Sequence, residues 1–173
     1  NKRGGVRVGD RHLLLRVESV DLKGARPNVP VEHAVTKLEK LIVEKKVHAL
    51  VIGPFRSEVL LGAMDIIAKH RVPLLGAIAM STASDAKILK DPRYKYIFRV
   101  CLNAKYLVDY LINTMKFLRK RHGFNRVYII NQDVAWTRTT ASLMTRLYFD
   151  RTGWRILGVD LYPSGATDFT KSL

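Results

Sequence analysis

Three short segments carry the side chains best suited to chemistry. Ser57 closes Gly53-Pro54-Phe55-Arg56-Ser57, directly after the apolar run Ala49-Leu50-Val51-Ile52. A strand that ends there and enters a helix puts Ser57 at a helix N-terminus. Free amides and a partial positive charge at such an end suit an anion. Phe55 in the same loop is a candidate apolar contact. The competing reading makes Ser57 a plain cap of its own helix. The Gly-Lys-Ser/Thr ending of a nucleotide-binding loop is missing, so phosphate cradling is not expected.

The second segment is Ala79-Met80-Ser81-Thr82-Ala83-Ser84-Asp85. Its hydroxyls and acid, beside exposed amides, suit the carboxylate and ammonium of an amino acid. The alternative is a capping loop, with Ser84 or Thr82 as the cap. The third is Asn131-Gln132-Asp133-Val134-Ala135-Trp136. Trp136 either stacks on a ligand or packs into a core, and Asp133 reads as an N-cap.

Catalytic and metal-binding patterns are poor. His12, His33, His48, His70 and His122 are scattered, with no helical pair at metal-ligand spacing. No Gly-x-Ser-x-Gly or Gly-x-Gly-x-x-Gly occurs. Cys101, the single cysteine, has no base beside it and reads as a small packed group. No catalytic residue, metal or cofactor is expected, and a binding protein is expected before an enzyme.

The elements that must position these segments alternate. His12 to Glu18 reads as a strand, and Gly24 to Pro30 as a loop. Glu32 to Lys45 has Ala34, Leu38, Leu41 and Ile42 at helical spacing. Ala49 to Ile52 reads as a buried parallel strand, Ser57 to His70 as a helix and Val72 to Ile78 as another buried strand. A short helix over Ala83 to Leu89 is stopped by Asp91-Pro92, and a brief strand covers Ile97 to Val100. The pattern then restarts: helix Asn103 to His122, strand Arg126 to Asn131, helix Ala135 to Thr152 ended by Gly153, strand Arg155 to Leu161. Pro163, Ser164 and Gly165 turn the chain, and Thr167 is a candidate cap of a helix that barely begins. This alternation means parallel sheets flanked by helices.

Composition narrows the class. Of 173 residues, 47% are hydrophobic and 26% charged, which excludes a wholly disordered chain. No apolar run reaches the roughly 18 residues of a membrane span. The formal net charge is +15, which invites a nucleic-acid or anionic-surface partner. Most basic residues are dispersed, and zinc-finger spacing, basic-zipper heptads and RNA-recognition aromatics are missing. That argues against nucleic acid. The one dense cluster, Lys116 to His122, ends a helix, where cations complement the dipole. A solvated helix end is the simpler reading and a docking patch the other. The chain opens Asn1-Lys2-Arg3 without a visible leader, which reads as an excised piece or a processed chain.

Together the segments resemble the type I periplasmic solute-binding proteins, specifically the branched-chain amino-acid family that serves ABC transporters. The resemblance runs through Asn1-Lys2-Arg3-Gly4-Gly5-Val6, Lys37-Leu38, Val47 to Pro54 and Val72-Pro73-Leu74-Leu75. It continues in family order through Phe98-Arg99-Val100, Arg126 to Ile130, and Tyr162-x-x-Gly165-x-Thr167-Asp168-Phe169.

The resemblance implies an α/β fold of two Rossmann-like lobes, both incomplete in this chain. Residues 1–102 would be the first lobe, lacking its first strand, and 103–173 the beginning of the second. It implies that Ser57 holds a ligand carboxylate. Ala79 and Ser81, or Thr82 after a one-residue slip, would supply the next loop, and Trp136 would be the aromatic wall. The usual tyrosine-glycine at that wall is replaced by Trp136-Thr137, so an aromatic or differently shaped ligand is expected. Arg56 beside Ser57, and Asn103-Ala104 at the crossover, also depart from the family. The implied function is capture of an amino acid or aromatic acid outside the cytoplasm, in the periplasm or extracellularly. Delivery would be to an ABC transporter permease, with no covalent chemistry. Two alternatives stand beside it: a sensor domain of the same fold and, more remotely, a basic nucleic-acid-binding protein.

Overall fold

The computed structural model describes residues 4–26 and 28–172. Asn1-Lys2-Arg3 of the resemblance, Pro27 of the expected loop and Leu173 lie outside the described residues.

The chain starts with a hairpin that the sequence reading did not anticipate. Strands β1 (Val6–Val8) and β2 (Arg11–Leu13) pair antiparallel. The strand expected over His12 to Glu18 is thus shorter and shifted toward the N-terminus. The hairpin ladder ends at Leu13, and in the irregular stretch that follows Leu14 and Val17 are exposed.

Three parallel strands follow, in the order β3 (Leu50–Ile52), β4 (Leu74–Gly76), β5 (Ile97–Arg99). Helix α1 (Val31–Lys45) turns Ala34, Leu38 and Ile42 inward, and α2 (Ser57–His70) turns in Val59, Leu60, Ala63, Met64 and Ile67. These spacings of three and four residues form one helical face. Leu38 and Ile42 of α1 and Leu60, Ala63, Met64 and Ile67 of α2 make the first core with Leu50, Leu74, Tyr94 and Ile97. Helix α3 (Thr82–Lys90) stops at Asp91-Pro92 as expected. Strand β3 corrects the expectation of a buried strand. It stands at the sheet edge, and Val51 and Ile52 are 61% and 60% exposed. The strand expected over Val72 to Ile78 keeps ladder pairing only at Leu74–Gly76.

Helix α4 (Ala104–His122) is capped by Asn103, whose Oδ1 accepts from the Lys105 and Tyr106 amides at 3.1 and 3.3 Å. It ends at Gly123, whose φ of 69° is the left-handed conformation that favours glycine. Its most buried apolar side chains are Ala104 and Val108, beside the expected Leu107, Leu111, Met115 and Leu118 stripe. Strands β6 (Arg126–Gln132) and β7 (Arg155–Tyr162) pair in parallel. Between them, α5 (Ala135–Met144) runs through a π-helical turn at Thr145–Phe149 into α6 (Asp150–Thr152), and Gly153 ends the run as expected. Val108, Met144, Tyr148, Phe149 and Trp154 form a second core. At Gly158 a Cβ would lie 2.6 Å from Cε2 of Tyr128, so glycine leaves room for that ring. After β7 the expected cap at Thr167 is not made. Asp168 accepts from the Thr170 amide at 2.9 Å instead, because a short 3-10 turn (Thr170–Ser172) begins two residues on.

A buried tyrosine locks the first core to its surface. Tyr94 is 2% exposed, and its hydroxyl donates to Asp65 Oδ1 at 2.5 Å. That bond, helped by the Lys87 ammonium, holds the Asp65 carboxyl below its ordinary value of 3.8. A depressed carboxylate contributes stability above its unfolded pKa and loses it as pH falls through the folded one. Tyr94→Phe should therefore cost about 1 kcal/mol near neutrality. In denaturant titrations across pH the gap to wild type should close below about pH 4. A gap that stays constant down to pH 2 would show that Asp65 does not contribute through this bond.

Candidate functional site

The expected site segments all lie at the C-terminal ends of parallel strands, where open α/β sheets bind ligands. β3 leaves its ladder through a tight turn. The Gly53 amide donates to Val51 O at 3.1 Å around Ile52, whose φ is 77°. A β-branched residue there is strained, and such conformations persist only when neighbours hold them. Here the Ala77 amide holds Ile52 O at 2.9 Å. Gly53-Pro54, joined by a cis peptide, then leads to α2.

Ser57 does not cap its helix, contrary to the simpler expectation. Arg56 occupies the cap position, and Ser57 is already the first helical residue. Its hydroxyl instead accepts from the Ser81 amide at 3.2 Å. Two loops separated by 24 residues thus meet at one oxygen. A serine hydroxyl has a proton as well as lone pairs, so Ser57 keeps a donor available while tied to Ser81.

Ser81 is the cap of α3, in place of the expected Ser84 or Thr82. Its Oγ accepts from the Ala83 amide at 3.1 Å. Thr82 is the exposed first residue of that helix, and Ser84 is fully buried one turn in, where its hydroxyl donates to Ser81 O at 2.8 Å. Ala79 is buried and offers its carbonyl to Arg99.

Arg99 was not anticipated as an organiser, yet it holds this loop in place. Its guanidinium donates to Ala79 O, to Ser81 O and Ser84 Oγ at 2.8 Å each, and to Asp85 Oδ1 at 2.9 Å. The side chain is 16% exposed and paired with Asp85. The signal in the sequence was a lone charge closing the apolar strand Ile97-Phe98-Arg99, since a charge in such a run needs a partner. Asp85 also accepts from Asn103 Nδ2 at 3.2 Å, and Met80 O accepts from the Ala104 amide at 2.9 Å. The loop is therefore tied to the start of α4. Cys101 is half-buried with its Sγ 3.9 Å from Arg99 Nη1, a weak contact of the same cluster.

Trp136 is 38% exposed and lies outside the second core. It lines a cavity of about 270 Å³ with Phe55 and Arg56 from the loop after β3 and Glu58 from the first turn of α2. Gln132, Asp133, Arg138 and Ser164 line the other side. Phe55 and Trp136 are thus brought to one cavity, whereas Ser57, Ala79, Ser81 and Thr82 gather at the neighbouring helix ends. Asp133 is not a cap, because Val134 takes that position. Asp133 instead pairs with Arg138 and anchors its amide on Tyr162 O at 2.6 Å. Arg56 spans to the Arg26 and Val29 carbonyls at 3.0 and 3.2 Å, while its buried Nε has no partner among the described residues. Arg56, Glu58, Arg138 and Ser164 were not among the expected contacts, since their approach depends on how distant segments meet. A wider hollow of about 610 Å³, beside Asp65, Arg71 and Tyr96, lies at the opposite ends of β4 and β5, away from these loops. Among the described residues no cluster suits a metal ion.

The Arg99 geometry makes a measurable claim. Arg99→Ala should lower stability in urea by about 2–3 kcal/mol, because two carbonyls and a carboxylate lose a charged donor. Arg99→Lys should restore less than half, since an ammonium lacks the planar fork. An alanine variant within about 0.5 kcal/mol of wild type would mean water replaces the guanidinium at no cost.

Comparison with known proteins adds to this geometry. A sequence profile of the periplasmic binding protein family matches residues 27–173. Among curated proteins, none matches the chain. Similar solved structures include an ABC transporter substrate-binding protein from Sphaerobacter thermophilus (23% identity, TM-score 0.68, 98% of this chain and 42% of that one). Another is the branched-chain amino acid transporter substrate binding protein from Streptococcus pneumoniae in complex with isoleucine (19%, 0.72, 98% and 42%). A third is an ABC transporter solute binding protein from Rhodopseudomonas palustris with 3,4-dihydroxy benzoic acid (19%, 0.61, 78% and 34%). The chain spans 34–42% of the length of these three structures, and at such identities the likeness concerns the fold. The α/β architecture with parallel sheets agrees with the expectation from sequence.

Proposed function

The chain belongs to the periplasmic binding protein family, and from that premise we propose that it captures a small carboxylate, an amino acid or aromatic acid, outside the cytoplasm for delivery to an ABC transporter permease. Residues 1–102 and 103–173 act in this reading as parts of two lobes that close on the ligand. The observation that carries it is the cavity where Phe55, Arg56 and Glu58 meet Trp136 and Ser164. Its volume of about 270 Å³ is close to the lower end of small-molecule pockets, about 300–1,000 Å³.

The chemistry of the lining supports this ligand class. Phe55 and Trp136 give the cavity two aromatic rings against which a flat or apolar group can lie. Arg138 is neutralised by Asp133, which leaves Arg56 and Glu58 as one charge of each sign at the rim. An aromatic acid uses the cation and the rings, and an amino acid uses the carboxylate as well. Beside the cavity, the starts of α2 and α3 are held together by the Ser57–Ser81 bond, so two helix N-termini and two hydroxyls present donors to an anion. Binding here needs no bond making, consistent with a family of binding proteins.

Calorimetry on the intact protein should find a ligand among branched-chain amino acids, aromatic amino acids and hydroxybenzoates. Ser57→Ala should weaken it about 10–100-fold through loss of a hydrogen bond to a charged group. Replacing Trp154, a core residue, by phenylalanine leaves Trp136 as the sole indole, and its fluorescence should shift on ligand addition. The absence of heat at millimolar concentration across the panel would overturn the proposal.

A further inference from the structure

Most of the positive charge lies away from the Trp136 cavity, and the structure concentrates part of it at one pole. α4 ends in Lys116, Arg119, Lys120, Arg121 and His122, all exposed. Arg119 Nη1 donates to Thr152 O at 2.5 Å, which brings the end of α4 to the end of α6 and to exposed Arg151. Arg126 opens β6 and Arg155 opens β7. The two are register partners, and the Arg155 amide donates to Asn125 O at 2.8 Å. Like charges directly opposite on paired strands repel, so this arrangement gains from an external anion.

Residues 116–126 and 150–155 hold seven lysines and arginines against one acid, Asp150. None of those seven forms an ion pair among the described residues. At the corresponding pole of the first sheet two of the basic residues are paired, Lys69 with Glu39 and Arg93 with Asp91. Two aromatic rings stand among the unpaired cations. Phe117 is 58% exposed, and Phe124 is 52% exposed and stacked on His122 at 5.2 Å. The pole lies at the N-terminal ends of β6 and β7, opposite the strand ends that carry Trp136.

We infer that this pole is a docking surface for an anionic phospholipid membrane. Cations beside exposed phenyl rings match the boundary of a bilayer, where anionic headgroups and hydrocarbon occur within a few ångströms of each other. A nucleic acid would satisfy the charge, but the chain offers no element of a groove-reading motif for it. Because the surface faces away from the cleft, docking leaves the cavity open to ligand. It would hold a binding protein close to a membrane-embedded partner.

The test is cosedimentation of the intact protein with phosphatidylcholine vesicles with and without phosphatidylglycerol. Wild type should sediment only with the anionic vesicles, and release should follow added salt. Lys116→Gln/Lys120→Gln/Arg121→Gln should weaken partition about a hundredfold, at about fivefold for each charge. Phe124→Ser, which keeps every charge, should weaken it at fixed salt. Lys40→Gln/Lys45→Gln/Lys90→Gln, the same loss of charge at exposed sites elsewhere, should leave it near wild type. Three results would each overturn the inference: wild type that stays in the supernatant with anionic vesicles, a control triple variant as impaired as the pole variant, or a short DNA duplex that displaces the vesicles through the same three residues.

Discussion

One guanidinium determines how this molecule presents its loops. Arg99, at the end of β5, satisfies the Ala79 and Ser81 carbonyls, the Ser84 hydroxyl and the Asp85 carboxylate together. A loop that leaves a parallel strand exposes backbone groups that must find partners. Here a side chain from the neighbouring strand supplies them. The resulting loop shape delivers the Ser81 amide to Ser57 and the Ser81 hydroxyl to the start of α3. Through Asp85 and Asn103 it also sets where α4 begins. The proposed binding function therefore rests on an arginine that lines no part of the Trp136 cavity.

The two sheets share a plan but differ in how they are covered. In the first, α1 and α2 cover one side thoroughly, and Ala63, Met64 and Ile67 reach 0% exposure. The second has a smaller core in which Tyr148, Phe149 and Trp154 supply aromatic bulk in place of many aliphatic contacts. Its strands alternate, and Tyr128, Ile130, Leu157, Val159 and Leu161 remain exposed on alternate positions. The similar solved structures are more than twice as long as this chain.

Charge is divided between the two ends of the second sheet. Near the Trp136 cavity, Asp133 pairs with Arg138, and Arg56 and Glu58 bring one charge of each sign. At the far pole, basic residues accumulate without acids to pair them. A binding site for a small zwitterion or acid needs a few placed charges in low dielectric, whereas a surface partner responds to summed charge over many ångströms. The two kinds of electrostatics can coexist in one domain because the strands separate them.

From α1 onward the element order was legible in the sequence. Helical spacing in α1, α2 and α4, the Gly123 and Gly153 stops, and the strand–helix alternation are local properties that depend on side-chain periodicity and backbone sterics. The family could be read in the same way, from segments in order. Tertiary structure decided the rest. Ser57, Ser84, Thr82 and Asp133 all looked like caps, but capping is one use of an oxygen among several. Which use occurs depends on whether a distant amide or cation arrives first. Ser57 met the Ser81 amide, and Asp133 met Arg138. Val51 and Ile52 have the composition of a buried strand, yet exposure depends on neighbours that no local pattern specifies. Arg99, Arg56 and Glu58 gained their places only when strands 20 or more residues apart came into register. The pairing of distant backbone groups, and not any preference of the residues themselves, made them part of a site.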